Sequence, residues 1–456
     1  MTVNTNPAQP VDGQRIDSAK SDTQPLAVAS FAFKEFDSSA ARVWKNEAHG
    51  ILEPKSLQNV IATIATHPNL RGCIVLDDFN QKITVVKPLP WDDPAKFEAR
   101  SITNDDIRFL QARLETPPYN LRPSKQMVID GISAAASMAR INPVRDYLLS
   151  LKWDGTPRID GWLIKYCGAT QQPAEYVAAV GSCFLKAAVK RVINPGIEFH
   201  HMLVLEGGQA AGKSSALKAL ATFGKDKPIS YFTDRIGFED IGSKNIAEFL
   251  IGNLIIEFQE LTGLNKKDRN KVKQWITQTH DEVQKKWENQ TTIYPRQFVL
   301  AGTTNEKEWL NDPTGGRRFW PVGVSNHIDV AGILEVNEQL WAEATHRVAS
   351  GELWYILPDN PVYNLAQEEQ GKRFVSDAWE DLIEEHVSGR DTIRIDDIFR
   401  DVLNIPAERW DGRARSRVAG ILTNLGFKQS FTTKNSKRIR VWKIEKAQPV
   451  FEEIVF

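Results

Sequence analysis

The chain has little cysteine, no long apolar run and almost no net charge, and each shortage removes a class of protein. Three cysteines in 456 residues, Cys73, Cys167 and Cys183, are widely spaced and odd in number. They argue against a disulfide framework and a zinc site, and fit a reducing, cytoplasmic setting. No segment approaches the roughly 18 apolar residues of a membrane span, and residues 1–23 lack the basic-then-apolar order of a secretion signal. The expectation is a soluble, cytoplasmic protein with no membrane partner. A formal charge of −1 and a pI near 6.7 mean that whole-chain charge does not mark a nucleic-acid binder. Any such contact has to come from local patches. Internal repeats are missing as well.

What remains is ordinary globular material, 41% hydrophobic and 25% charged. Residues 1–30, poor in large apolar groups, read as a disordered tail. Residues 31–101 read as a small α+β unit, with a helix capped by Ser56 and a hairpin closed by a Pro-rich segment at 88–94. Residues 102–198 form a helical domain that ends at the Asn194-Pro195-Gly196 break. Residues 199–355 alternate buried strands with helices, so the fold class is α/β. Residues 356–456 carry helices and then a basic hairpin-like segment, Phe427 to Ile444, which suggests a winged-helix-like domain.

The chemistry is concentrated in the α/β part. Gly207-Gly208-Gln209-Ala210-Ala211-Gly212-Lys213-Ser214, followed by Ser215, fits G-x-x-x-x-G-K-[ST] between an apolar strand and a helix. Backbone N–H groups there would cradle the phosphates of ATP, and Lys213 would neutralise the β and γ phosphates. The Ser214 hydroxyl would ligate Mg²⁺. A second ligand is expected at the end of a neighbouring strand, and Glu257 occupies such a place. Glu260 stands three residues on and suits polarising the attacking water; the division of roles between the two stays open. Asn305, at the tip of a third strand, fits a sensor of the γ-phosphate. Arg317 and Arg318, on a Gly turn beside Phe319 and Trp320, suit an arginine finger that serves a neighbouring subunit's site, which implies a ring. His200 and His201 read as packing residues rather than metal ligands.

The order of these features resembles the virulence-associated protein E family of phages and mobile elements. The likeness runs through Asn142–Arg158, Val180–Arg191, the phosphate loop, Gly302-Thr-Thr-Asn305, Asp312–Val322 and Gln339–Ala344. That family is related to superfamily 3 helicases, whose AAA+ cores form hexameric rings on DNA. The resemblance implies an ATP- and Mg²⁺-dependent DNA helicase or replication-initiation ATPase acting on single-stranded or forked DNA, with replication proteins as further partners. The chain lacks an N-terminal acidic metal cluster, so no primase activity is expected. The resemblance also implies a DNA-gripping pore loop between Glu257 and Asn305, where Lys285, Lys286 and Trp287 offer charge and a stacking ring. In the basic C-terminal part Arg413, Arg415, Arg417, Lys437, Arg438 and Arg440 are the DNA-binding candidates.

Two places depart from the family pattern. A third loop glycine is replaced by Ala210 or Ala211, and the segment from Asp281 lacks the family's usual arginines and tyrosine. The latter, with the near-neutral charge, favours an alternative: a nucleotide-gated regulatory or interference protein that binds a protein partner without unwinding DNA.

Overall fold

The computed structural model describes residues 45–46, 51–243, 246–259, 266–283, 292–307, 309–310, 316–373, 379–434 and 437–444. The expected tail at 1–30 lies outside them. The chain divides into two compact units, one running to Asp78 and from Lys82 to Ile141, the other comprising Phe79–Gln81 and the chain from Asn142 onward.

The first unit packs α1 (Leu57–Thr66), α2 (Asn104–Glu115) and α3 (Lys125–Met138) with strands β1 (Ile74–Asp77), β2 (Lys82–Val85), β3 (Arg100–Ser101) and β4 (Arg140–Ile141), in sheet order β3-β2-β1-β4. Thr103 and Asp106 close a reciprocal cap at the start of α2, and Asp106 also takes the guanidinium of Arg100. Leu110, Leu114, Val128 and Ile132 share a core with Val60, Ile64 and Ile74. The helices at 104–138 therefore belong with the small α+β unit and not with a separate helical domain over 102–198. The later helices belong elsewhere for the same reason: α4 (Pro143–Ser150), α5 (Trp162–Cys167) and α6 (Ala174–Ile193) share the core of the sheet that follows.

That sheet is wholly parallel. Its strands are β5 (Met202–Glu206), β6 (Phe232–Thr233), β7 (Ile255–Phe258), β10 (Val299–Thr304) and β11 (Phe319–Gly323), ordered β6-β7-β10-β5-β11. Before β10 in the chain, β8 (His280–Val283) and β9 (Thr292–Pro295) form a separate two-stranded antiparallel sheet. Every residue of β5, β7, β10 and β11 is buried, as continuous apolar runs in a parallel sheet demand. Alternation sorts them into two layers. Leu203, Leu205, Ile255, Val299, Ala301 and Val322 face α6, α7 (Lys213–Leu220) and α9 (Val330–Ala349). Met202, Val204, Ile256, Phe258 and Leu300 face Trp275 and Ile276 of α8 (Lys266–Ile276), together with Trp309. Pro321 is tolerated because β11 is an edge strand, bonded only to β5.

The last part has its own small core. Helices α11 (Glu380–Val387), α12 (Ile395–Asp401) and α13 (Gly412–Asn424) pack Ile383, Ile398, Phe399, Val418 and Leu422 against Phe427 and Trp442. Those last two come from the hairpin β13 (Phe427–Lys434) and β14 (Lys437–Ile444), and β14 also pairs with β12 (Thr392–Ile393). One further helix, α10 (Pro361–Gly371), precedes this part and contacts β11. Among the described residues, no helix is long and apolar enough to cross a membrane.

Candidate active site

In a parallel sheet all carboxyl ends lie along one edge, and ligand crevices open there. Here that edge carries Glu206 into the loop 207–212, Glu257 on β7, and Thr304 into Asn305. Glu206 lies level with Thr304 on one side and Gly323 on the other, which puts the loop between the ends of β10 and β11. Gly207 has no room for a side chain, since a Cβ there would stand 2.9 Å from Val324 Cγ2. Gly212, at φ +94°, turns the loop into α7 in a conformation that favours glycine. Ala210, one of the two alanines that stand where a glycine is expected, adopts φ +62°, a left-handed position.

A cavity of about 360 Å³ opens over this loop, lined by the loop residues, Lys213, Ser214, Ser215, Gln259, Thr303, Thr304 and Asn305. Lys213 is buried, and its Nζ donates to the carbonyls of Gly207 at 2.7 Å and Gly208 at 2.8 Å and to Asn305 Oδ1 at 2.8 Å. Burial holds its ammonium below the ordinary lysine range, an effect the Glu257 carboxylate opposes. Ser214 Oγ and Thr303 Oγ1 both donate to Glu257 Oε1 at 2.6 Å. Glu257 is fully buried, and among the described residues its Oε2 accepts no hydrogen bond. Burial raises its carboxyl pKa, partly offset by the Ser214 and Thr303 bonds.

The buried, uncommitted Oε2 beside the Ser214 hydroxyl is an all-oxygen set that suits a hard divalent cation such as Mg²⁺. The first N–H groups of α7 have no intrahelical acceptor and suit an anion. The residues present therefore fit a magnesium-bound phosphate chain.

Other predicted residues fall elsewhere. Arg317 and Arg318 form the turn before β11, where Phe319 lies level with Met202. They stand at the amino end of the sheet, on the order of 15 Å of strand from their own chain's loop. Arg317 is exposed and Arg318 half-buried. Nearby, His201 stacks on Trp320 at 4.2 Å between centroids, and burial lowers its pKa to about 3. Glu260, Lys285, Lys286 and Trp287 lie outside the described residues, as does the Lys437 side chain. The strand pair β8–β9 is rooted by Arg296, which is fully buried, bonds Asp281 at 2.7 and 2.8 Å and donates to the Trp275 carbonyl at 2.7 Å.

The C-terminal arginines do not form a single patch. Successive residues turn by about 100° on a helix, so Arg413 and Arg417 share a face of α13 that Arg415 does not. Arg415 pairs with Asp396 at 2.8 Å, and Arg417 lies over the Trp379 ring at 3.7 Å. Arg413, Arg438 and Arg440 are exposed.

Sequence reasoning missed Thr303, Gln259 and a buried cluster beneath the loop. Glu206 accepts from Arg373 at 2.8 to 3.1 Å and from Trp309 Nε1 at 2.7 Å, and Arg373 also bonds Glu369. No local motif marks these partners, because Glu206 and Arg373 are 167 positions apart.

The family profile of the virulence-associated protein E-like domain matches residues 148–375. No curated protein matches the chain. Among solved structures, the A form apo structure of the NrS-1 C terminal region is similar at a TM-score of 0.43 and 12% identity, covering 82% of this chain and 96% of that one. A second apo structure of that region gives 0.43 and 15%, with the same coverage.

Proposed function

From the premise that the chain belongs to the virulence-associated protein E-like family, we propose that it is an ATP- and Mg²⁺-dependent DNA helicase or replication-initiation ATPase of a phage or mobile element, assembled head to tail as a ring, hexameric in the expected form. The observation that carries this reading is the uncommitted carboxylate oxygen of Glu257, held beside Ser214 at the foot of a glycine loop that Lys213 spans.

Each residue has a task there. Lys213 exchanges its two loop carbonyls for phosphate oxygens while keeping Asn305 within reach. Asn305 thereby registers whether the outermost phosphate is present. Ser214 and Glu257 hold the cation, and Thr303 keeps the carboxylate turned toward it. When bound, Mg²⁺ supplies charge neutralisation to the β and γ oxygens. Glu260 is assigned to the attacking water. Arg317 and Arg318, beyond reach of their own loop, are assigned to the neighbouring subunit's phosphate, where such a residue stabilises transition-state charge. DNA contact is assigned to Lys285, Lys286 and Trp287 and to the exposed cations of the C-terminal part.

The test is ATP hydrolysis by the purified chain with and without single-stranded DNA, alongside strand displacement on a forked duplex. Hydrolysis that rises with DNA, together with displacement, is expected. Hydrolysis indifferent to DNA, with no displacement, would leave the nucleotide-gated regulator in its place.

A further inference from the structure

The inner face of the β13–β14 hairpin changes character along its length. Partners across an antiparallel ladder share a face, so Phe427, Gln429, Phe431 and Thr433 lie on the same side as Ile444, Trp442, Arg440 and Arg438. At the base, Phe427 and Trp442 are buried in the helical core. Phe431 is four residues further on, roughly 13 Å along the strand, and there the face is open: its side chain is 45% exposed. An exposed phenyl ring adds nothing to the core it has outrun. The Arg438 guanidinium lies 4.1 Å from its centroid, and Arg440 stands directly across the ladder. From Phe427 to Ile444 there are six lysines and arginines and no acid.

We propose that this open face is a contact surface for single-stranded nucleic acid, with Phe431 as the ring on which an unpaired base stacks and Arg438 and Arg440 as the cations that hold the flanking phosphates. The inference rests on the DNA-directed reading above and adds to it a residue and a strandedness. An arginine flat on an exposed ring contributes only about 0.5–1 kcal/mol by itself, too little to explain an aromatic placed in solvent amid cations. Charge without acids selects a polyanion. A stacking ring selects a polyanion whose bases show their faces, which those of a duplex do not.

The experiment measures binding of the full chain to a labelled oligothymidylate and to a blunt duplex over a range of salt. Phe431→Ala is expected to weaken single-strand binding about tenfold, leave duplex binding unchanged, and leave the slope of log K against log salt as in the parent. Phe431→Trp should restore affinity. Arg438→Gln and Arg440→Gln should each reduce that slope by about 1. Because Phe431 is exposed, thermal melting of these variants should match the parent. Parent-like single-strand affinity in Phe431→Ala, with the arginine variants losing slope, overturns the stacking assignment while DNA binding stands. A changed oligomeric state with unchanged affinity overturns it too, placing Phe431 at a subunit contact. A parent chain that binds no single strand at any salt removes both this inference and the reading beneath it.

Discussion

The two ends of the five-stranded sheet are built on different principles. At the carboxyl end Lys213, Ser214, Glu257, Thr303 and Asn305 come from two strand ends and one helix, and all are already hydrogen-bonded to one another or to the loop. At the amino end Arg317 and Arg318 form a short turn, the first exposed and the second half-buried. The first arrangement is held in place by its own hydrogen bonds. The second offers charge on the order of 15 Å of strand from its own chain's loop. Under the proposed function, one chain would bring the nucleotide-holding part of a site and a neighbouring identical chain would bring the arginines.

The largest expected effects separate those ends. Arg317→Ala with Arg318→Ala should lower kcat for ATP about 10³-fold with ATP affinity little changed. Lys213→Ala should lose binding as well as turnover. Mixing the two inactive proteins should restore hydrolysis, since an intact loop can then face an intact arginine pair. A mixture as inactive as its parents would detach the pair from the site.

Next is the root of the loop. Arg373→Met leaves Glu206 charged and buried without its partner, and should cost about 3 kcal/mol of stability. Urea denaturation of the single variants and of the Arg373→Met, Glu206→Leu double variant checks this. Additive losses would mean the pair is not coupled.

A smaller effect concerns Glu257. Its folded pKa is raised by burial, so the folded state binds the proton more tightly than the unfolded chain does. The penalty is absent below the unfolded value, appears as pH rises toward the folded one, and is fully present above it. In Mg²⁺-free buffer at neutral pH, Glu257→Gln should therefore raise the melting temperature by ~2 °C, and the gain should vanish on acidification. Saturating Mg²⁺ should reverse the order of the two proteins. An equal difference at all pH values would dissociate the effect from this carboxylate.

The smallest effect is at Ala210. Relief of its left-handed backbone by Ala210→Gly is worth about 1 kcal/mol, and the entropy of the freer unfolded chain offsets about 0.5–1 kcal/mol. Stability should stay within about 0.5 kcal/mol, measured by the same denaturation. A large gain would show the loop to be strained as a whole.

How much of this was legible depended on whether the signal was local. The loop, Glu257 and Asn305 could be found because each stands at or just past the end of a largely apolar run, the mark of a strand buried on both faces. The strand at Phe232–Thr233 was too short to show a pattern, and Pro321 disguised the edge strand. The break at Asn194–Gly196 looked like a domain boundary. Yet the Arg191 guanidinium crosses it, bonding the carbonyls of Ile197, Phe199 and Phe298, so α6 and the sheet are one body of packing. Phe431 was passed over because exposure is not written in a β-strand's spelling. It needs the length of the ladder relative to the helices beneath it.

The opposed placement of loop and arginine pair also fixes a stoichiometry. Under the proposed function the working site belongs to a junction and not to a chain, so an open row of subunits has one site fewer than it has members, while closure into a ring adds the last. Random mixing of loop-deficient and arginine-deficient chains makes about a quarter of the junctions competent, whatever the ring size, because only one of four ordered neighbours brings both intact halves together. Recovered activity can thus count junctions without the assembly ever being seen.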